Sequence, residues 1–201
     1  MKTTLTGLGA LLLLLAARTA AEEPKIFAPK HDNDVYASYR QLVWDDFKGS
    51  LQVWGPELAM LASTIQLEDL RAQTERTEDG WEARVASLEV VALMDKLQSS
   101  SKSAGRNDYT LRHEQGHFDI TELGARRLRR AVLDVVGKGS SEGAARYDLE
   151  QRLREVYAET LQSMQKMQMQ YDGETSNGQR KGKQKLWWKK LQKLMDETDG
   201  W

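Results

Sequence analysis

Two stretches of strand character meet at Thr77-Glu78-Asp79-Gly80, and this junction constrains the chain more than any other feature. Asp-Gly is a strong hairpin signal, because both residues tolerate the positive φ that a tight turn demands. Before it, Ile65, Leu67 and Asp69-Leu70 sit in an alternating stretch. After it, residues 81–94 bring Val85, Leu88, Val90, Val91 and Leu93, with β-branched enrichment. The pattern predicts an antiparallel hairpin at the centre of a small sheet within residues 35–95. Residues 98–105 then read as a serine-rich loop. Asn107 or Asp108 offers an N-cap, and Leu111, Phe118, Ala125, Leu128, Val132 and Val136 stripe one side of a helix over 109–136. Gly137 and Gly139 end it as a connector. A second helix, opening at Ser140 or Ser141, carries Leu149, Leu153, Val156, Thr160, Met164, Met167 and Tyr171, its methionines read as core filler. Residues 172–182 hold three glycines and read as a loop, and residues 185–197 as a last amphipathic helix. The fold class expected is α+β, a small antiparallel sheet packed against the 109–136 helix and further helices.

Composition narrows the chemistry. The 201 residues include no Cys, so disulfide scaffolds, thiolate metal sites and thiol catalysis are excluded. With 29 Lys+Arg against 30 Asp+Glu, no global field makes nucleic acid a main partner. Phosphate-cradling and nucleophile-elbow motifs are missing as well. At the start, a mostly apolar run over 5–17 with five consecutive leucines precedes Arg18-Thr19-Ala20-Ala21. It is shorter than the about 20 residues a membrane span needs, so residues 1–21 read as a secretory signal peptide. Its removal takes away Lys2 and Arg18 and no acid, leaving 27 positive and 30 negative charges, a net of −3. The expected destination is the periplasm or the extracellular medium. Residues 22–34, with Pro24 and Pro29, read as a polar arm, and residues 35–201 as one domain.

The chemistry-bearing signal is His113-Glu114-Gln115-Gly116-His117, an H-E-x-x-H pattern inside the first helix. Four residues advance a helix by about 6 Å and just over one turn, so both imidazoles project from one side and can share a metal ion. Glu114 is then placed beside the metal, where it can take a proton from water activated by zinc. Shuffling a chain with three histidines and 16 glutamates yields the pattern only about 0.004 times, so coincidence is a weak explanation.

Residues 113–122, together with Trp44-Asp45-Asp46-Phe47-Lys48-Gly49 upstream and Tyr171-Asp172-Gly173-Glu174-Thr175 downstream, resemble a bacterial domain-of-unknown-function family. Its members are described as candidate secreted zinc-dependent proteases. The resemblance runs from about Val35 to Leu194, and it implies a zincin-like helix carrying His113, Glu114 and His117. Where the family's downstream motif continues to His-Gly, this chain has Asn177-Gly178. A catalytic zinc normally has three protein ligands and a water, and the third can be a carboxylate. Asp172 and Glu174 are the leading substitutes, Asp172 slightly ahead, with Glu155 and Glu159 on the second helix as alternatives. The implied function is hydrolysis of peptide bonds in a peptide or protein substrate, with zinc on His113, His117 and Asp172 and Glu114 as the base. The alternative is a non-catalytic envelope or secreted binding module that lost its third ligand with the change at 177.

The remaining residues read more blandly. Glu122 falls on another helix side, as a supporting or surface charge, and Asp119 as a helix-surface carboxylate or a neighbour of the site. His31 belongs to a solvated arm, and Trp44 and Phe47 anchor a strand end in the core, with lining a substrate cleft beside Asp45 and Asp46 as their second reading. The C-terminal lysines, interleaved with Leu186, Trp187, Trp188, Leu191 and Leu194, form a basic amphipathic helix. Docking of its apolar face on the domain is favoured, with peripheral contact to a membrane or envelope surface as the second use.

Overall fold

The computed structural model describes residues 23–50 and 57–201. The expected signal peptide, residues 1–21, lies outside the described residues. In chain order the elements are β1 (Lys25–Phe27), β2 (Tyr36–Ser38), β3 (Ala59–Thr77), β4 (Gly80–Ser101), α1 (Asp108–Ala131), β5 (Val136–Gly139), α2 (Glu142–Thr175) and α3 (Lys181–Glu197). This is the α+β class expected, with a mixed five-stranded sheet in place of a purely antiparallel one.

The hairpin forms at the expected turn, with Thr77 paired to Gly80 and Glu78-Asp79 between them. Gly80 takes φ 138, and a Cβ there would lie 2.6 Å from the Gly139 carbonyl oxygen, so only glycine lets β5 close beside the turn. β3 and β4 then pair along their whole length, interrupted by bulges. Asp69-Leu70 stand opposite Leu88 alone, with Asp69 at φ 50, which breaks the simple alternation expected there. One step later β4 inserts Ala86. Its core series Ala83 and Val85 therefore resumes at Leu88, Val90, Ala92 and Met94, and the bulge keeps one face of the strand towards the core.

The other edge of β4 is tiled by three short strands. β5 pairs with residues 81–84, β1 runs parallel along 87–89, and β2 pairs with 93–95. The polar arm is thus partly structured, its β1 being the one parallel strand. Phe47 is buried in the core and Trp44 packs beside it, ring centroids 5.2 Å apart, as expected, but the pair sits on a 3-10 turn over Trp44–Asp46 and not at a strand end. The arm is also held by charge. Arg40, which grips Asp46 bidentately at 2.6 and 2.7 Å, also reaches Asp32 at 3.2 Å, and the buried Lys96 ammonium reaches Asp32 at 2.6 Å.

Three expected loops or connectors become regular structure. β4 continues through Ser101 because Ala59 and Met60 extend the ladder to Ser101 and Ser100. α1 stops at Ala131 and, after a short 3-10 turn, Val136–Gly139 form β5. Gly137 and Gly139 are there for close approach: a Cβ on Gly137 would sit 2.2 Å from the Ala145 carbonyl oxygen of α2. α2 runs through Asp172 and Glu174 to Thr175, and α3 begins at Lys181, earlier than expected. Tyr171, fully buried, fastens this end of α2, and the chain reverses where Ser176, Asn177 and Gly178 all take positive φ.

The expected N-caps are Asn107 and Ser141, each accepting from a backbone N–H three residues on. Leu111, Phe118, Ala125, Leu128 and Val132 meet Leu149 and Leu153 over the sheet. α3 docks through Trp187 and Leu191 onto Ile120, Leu123 and Tyr171, which form a second apolar cluster.

Candidate metal centre

His113 and His117 project one turn apart from α1, their ring centroids 4.9 Å from each other. α2 crosses this face and brings Asp172 to it. Asp172 Oδ1 lies 3.3 Å from His113 Nε2 and 3.0 Å from His117 Nε2. Among the described residues these three are the group whose donor atoms converge, all within 4.8 Å of one another.

Which ring nitrogens face inward is fixed by two glutamines. Gln184 of α3 donates its amide nitrogen to the Tyr171 hydroxyl at 2.5 Å, and that hydroxyl donates to the His113 carbonyl at 3.0 Å. The Gln184 amide oxygen must then accept from His113 Nδ1, 2.9 Å away. Gln168 repeats the device one turn before Asp172. Its nitrogen donates to the His117 carbonyl at 2.9 Å and its oxygen faces His117 Nδ1 at 2.6 Å. Each imidazole therefore carries its proton on Nδ1 and turns the Nε2 lone pair towards Asp172.

Three lone-pair donors meeting without a proton between them make a site for positive charge. The buried Asp172 Oδ1 indeed has no hydrogen-bond partner. Burial opposes the charge on Asp172, but His113 and His117 outweigh it and hold the carboxyl well below the usual carboxylate range. Burial likewise disfavours a charged His117, yet Asp172 and Glu114 raise its pKa. The two shifts are reciprocal: Asp172 favours positive charge beside it, whether on an imidazole or on a bound cation, and that charge in turn favours the carboxylate. Two nitrogens and one carboxylate oxygen, with a corner open to a cleft, match the donor set of a catalytic zinc more closely than a closed four-ligand structural site.

Glu114 is buried beside the group, and burial pushes its pKa up, with the two imidazoles and the Leu61 backbone amide pulling it down. Gly116 makes room behind His113: a Cβ there would stand 2.3 Å from the Tyr171 hydroxyl, whose ring stacks on His113 at 4.9 Å. In front, a cleft of about 960 Å³ opens between the start of β3 and α2. Its walls include Leu58, Met60, Leu161 and Met164, so Met164 serves both core and cleft.

Other expected residues lie elsewhere. Glu174 is exposed and accepts from the Trp187 indole, and Glu155 and Glu159 are exposed on α2. Asn177 bonds its amide to Glu57 at the cleft rim. Glu122 is buried, not a surface charge, pairing with Arg126 and Arg129 because the C-terminal segment covers it. Asp119 is buried too, accepting from Tyr39 and Gln115, and so ties the segment after β2 to α1. His31 is only partly buried in the arm, its backbone N–H bonded to Ser38.

A family model described as bacterial protein of unknown function (DUF922) matches residues 69–179, more than half of the chain. The chain belongs to this family. The DUF922 segment runs from the bulge in β3 to the turn after α2, and so contains all three donors, Glu114 and Gln168. α3, with Gln184, lies beyond it. Comparison with curated proteins and with solved structures returned no match. Spacing marks neither glutamine as a histidine partner: Gln184 matches the family's ending only as a sign of docking, and the usable signal for Gln168 is that it precedes Asp172 by four and shares its helix face.

Proposed function

We propose that this chain is an exported zinc-dependent peptidase that hydrolyses peptide bonds in peptide or protein substrates. One observation carries the reading: two inward lone pairs and an unpartnered carboxylate oxygen converge in a roomy cleft, next to the buried carboxylate of Glu114. His113, His117 and Asp172 would hold the ion. Bound there, zinc supplies Lewis acidity towards a carbonyl oxygen and towards water, whose proton loss it brings near neutral pH.

The chain's own groups do the rest. Glu114 takes the proton of the attacking water on a carboxylate oxygen and delivers it to the amine nitrogen as the C–N bond breaks. Gln168 and Gln184 keep both imidazoles aimed. The β3 wall offers backbone groups to an extended substrate at Ser63: the Ile65 carbonyl, two residues on, points away from β4 to Tyr157, and Ser63 shares its parity. Leu58, Met60, Leu161 and Met164 favour apolar side chains there. The module alternative loses its main support, since Asp172 offers the donor that Asn177 cannot.

Elemental analysis and a peptide-cleavage assay test the proposal together. Glu114→Gln should keep stoichiometric zinc and lose at least about 100-fold in turnover, whereas Asp172→Asn should weaken zinc itself. Undiminished turnover in the first variant, or no zinc on the unaltered protein at micromolar supply, would reject it.

A further inference from the structure

Helix α3 spends its apolar face on the domain, with Gln184, Trp187 and Leu191 buried. What remains outside is strongly one-signed. Between Arg180 and Lys193 the chain carries seven cationic side chains and no acidic one, and all seven are exposed. At about 100° per residue, Lys185, Lys189 and Lys193 form a single ridge pointing away from the domain. Leu186 stands beside that ridge, 61% exposed. Few acids answer this charge among the described residues. Lys193 reaches Glu197 at 3.6 Å, and Glu174, near Lys183 and Lys190, is already engaged by Gln170 and the Trp187 indole.

We infer that α3 docks the protein on an anionic phospholipid surface, the lysine ridge meeting headgroup phosphates and Leu186 entering the interface. The chain as a whole has net charge −1, so the attraction belongs to this face and not to a general field. The ridge from Lys185 to Lys193 runs about 12 Å along a helix of 17 residues, suited to a plane. An apolar side chain held out among lysines gains nothing from a soluble polyanion but is buried by a lipid interface. The start of α3, one turn before the ridge, adjoins the cleft. Lys181 sits over the Tyr109 ring at 5.6 Å, and Tyr109 and Gln179 line the cleft, so docking brings its rim towards the membrane. The inference stands whether or not the cleft is catalytic.

The test is sedimentation of the full chain with phosphatidylcholine vesicles, with and without about 30% phosphatidylglycerol, in about 0.1 M salt. Partitioning onto the anionic vesicles should exceed that onto neutral ones at least about tenfold and fall as salt rises. Each lysine near such a surface is worth about fivefold, so K185Q/K189Q/K193Q should lose about 100-fold while keeping its helicity and its zinc content. L186S should weaken binding a few-fold at unchanged charge. An apolar leader, where retained, adds equally to both lipid compositions and to all variants. Equal partitioning onto both vesicles, salt-independent binding, or a lysine variant that binds as the parent does overturns the inference.

Discussion

Replacing Gln184 by Leu removes the group that fixes the His113 tautomer while keeping a side chain of similar volume in a fully buried place. Two hydrogen bonds go, the 2.9 Å contact to Nδ1 and the 2.5 Å contact to the Tyr171 hydroxyl. His113 Nδ1–H is left without an acceptor in a dry setting, a penalty of about 1–3 kcal/mol. The ring escapes it by moving its proton to Nε2, which takes the lone pair away from the metal. Zinc affinity should therefore fall about 10- to 100-fold, or about 1.4–2.8 kcal/mol. α3 should still dock, since Trp187 and Leu191 supply its apolar anchor. Gln168→Leu should fall at the lower end of the range, because that amide is partly exposed and water can replace its oxygen. The assay is competition with a chromophoric chelator, alongside ¹⁵N chemical shifts that distinguish the two histidine tautomers. Zinc affinity within twofold of the parent, in a folded Gln184→Leu protein, would refute the orientation argument.

Two further outcomes follow from packing and charge. Gly116→Ala places a methyl 2.3 Å from the Tyr171 hydroxyl, so Tyr171 must shift and release His113; a loss of about 1–3 kcal/mol is expected in urea unfolding, with weakened zinc. Lys96 and then Arg40 hold the Asp32 carboxyl down at about 2, and for Asp46 the Arg40 fork outweighs burial and lowers the pKa as well. Depressed carboxylates stabilise the fold above their unfolded value near 4 and lose that contribution as pH falls through the folded value. Urea unfolding of Asp32→Asn against the parent should show a gap at pH 7 that begins to close below about pH 4 and is gone somewhat below pH 2.

Local patterns in the chain proved most legible where a short-range rule acts alone. The turn at Glu78-Asp79, the caps at Asn107 and Ser141, the stripe from Leu111 to Val132 and the docking face at Trp187 and Leu191 each follow from neighbours a few residues apart. Failures came where distant segments decide. Ser100 and Ser101 are strand because Ala59 and Met60 lie opposite them, and Gly137 and Gly139 are strand because α2 presses on them. Asp172 is helical because Tyr171 is buried between α1 and α3. The H-E-x-x-H spacing placed two donors together without help, whereas Asp172 came from the family motif and could not be ranked decisively over Glu174. The two glutamines carry no local signature, since an amide becomes a tautomer lock only through what its other end touches.

The strip-wise covering of β4 also bears on how the molecule avoids its own kind. A 22-residue strand with one bare ladder would be an open template for pairing with a neighbour. Pieces from the beginning of the chain and from its middle guard that ladder in separate lengths, none longer than four residues. Trimming or unpinning the first of them would leave residues 87–89 exposed, and loss of the second would bare 93–95, inviting strand exchange between molecules before the helical layer gives way.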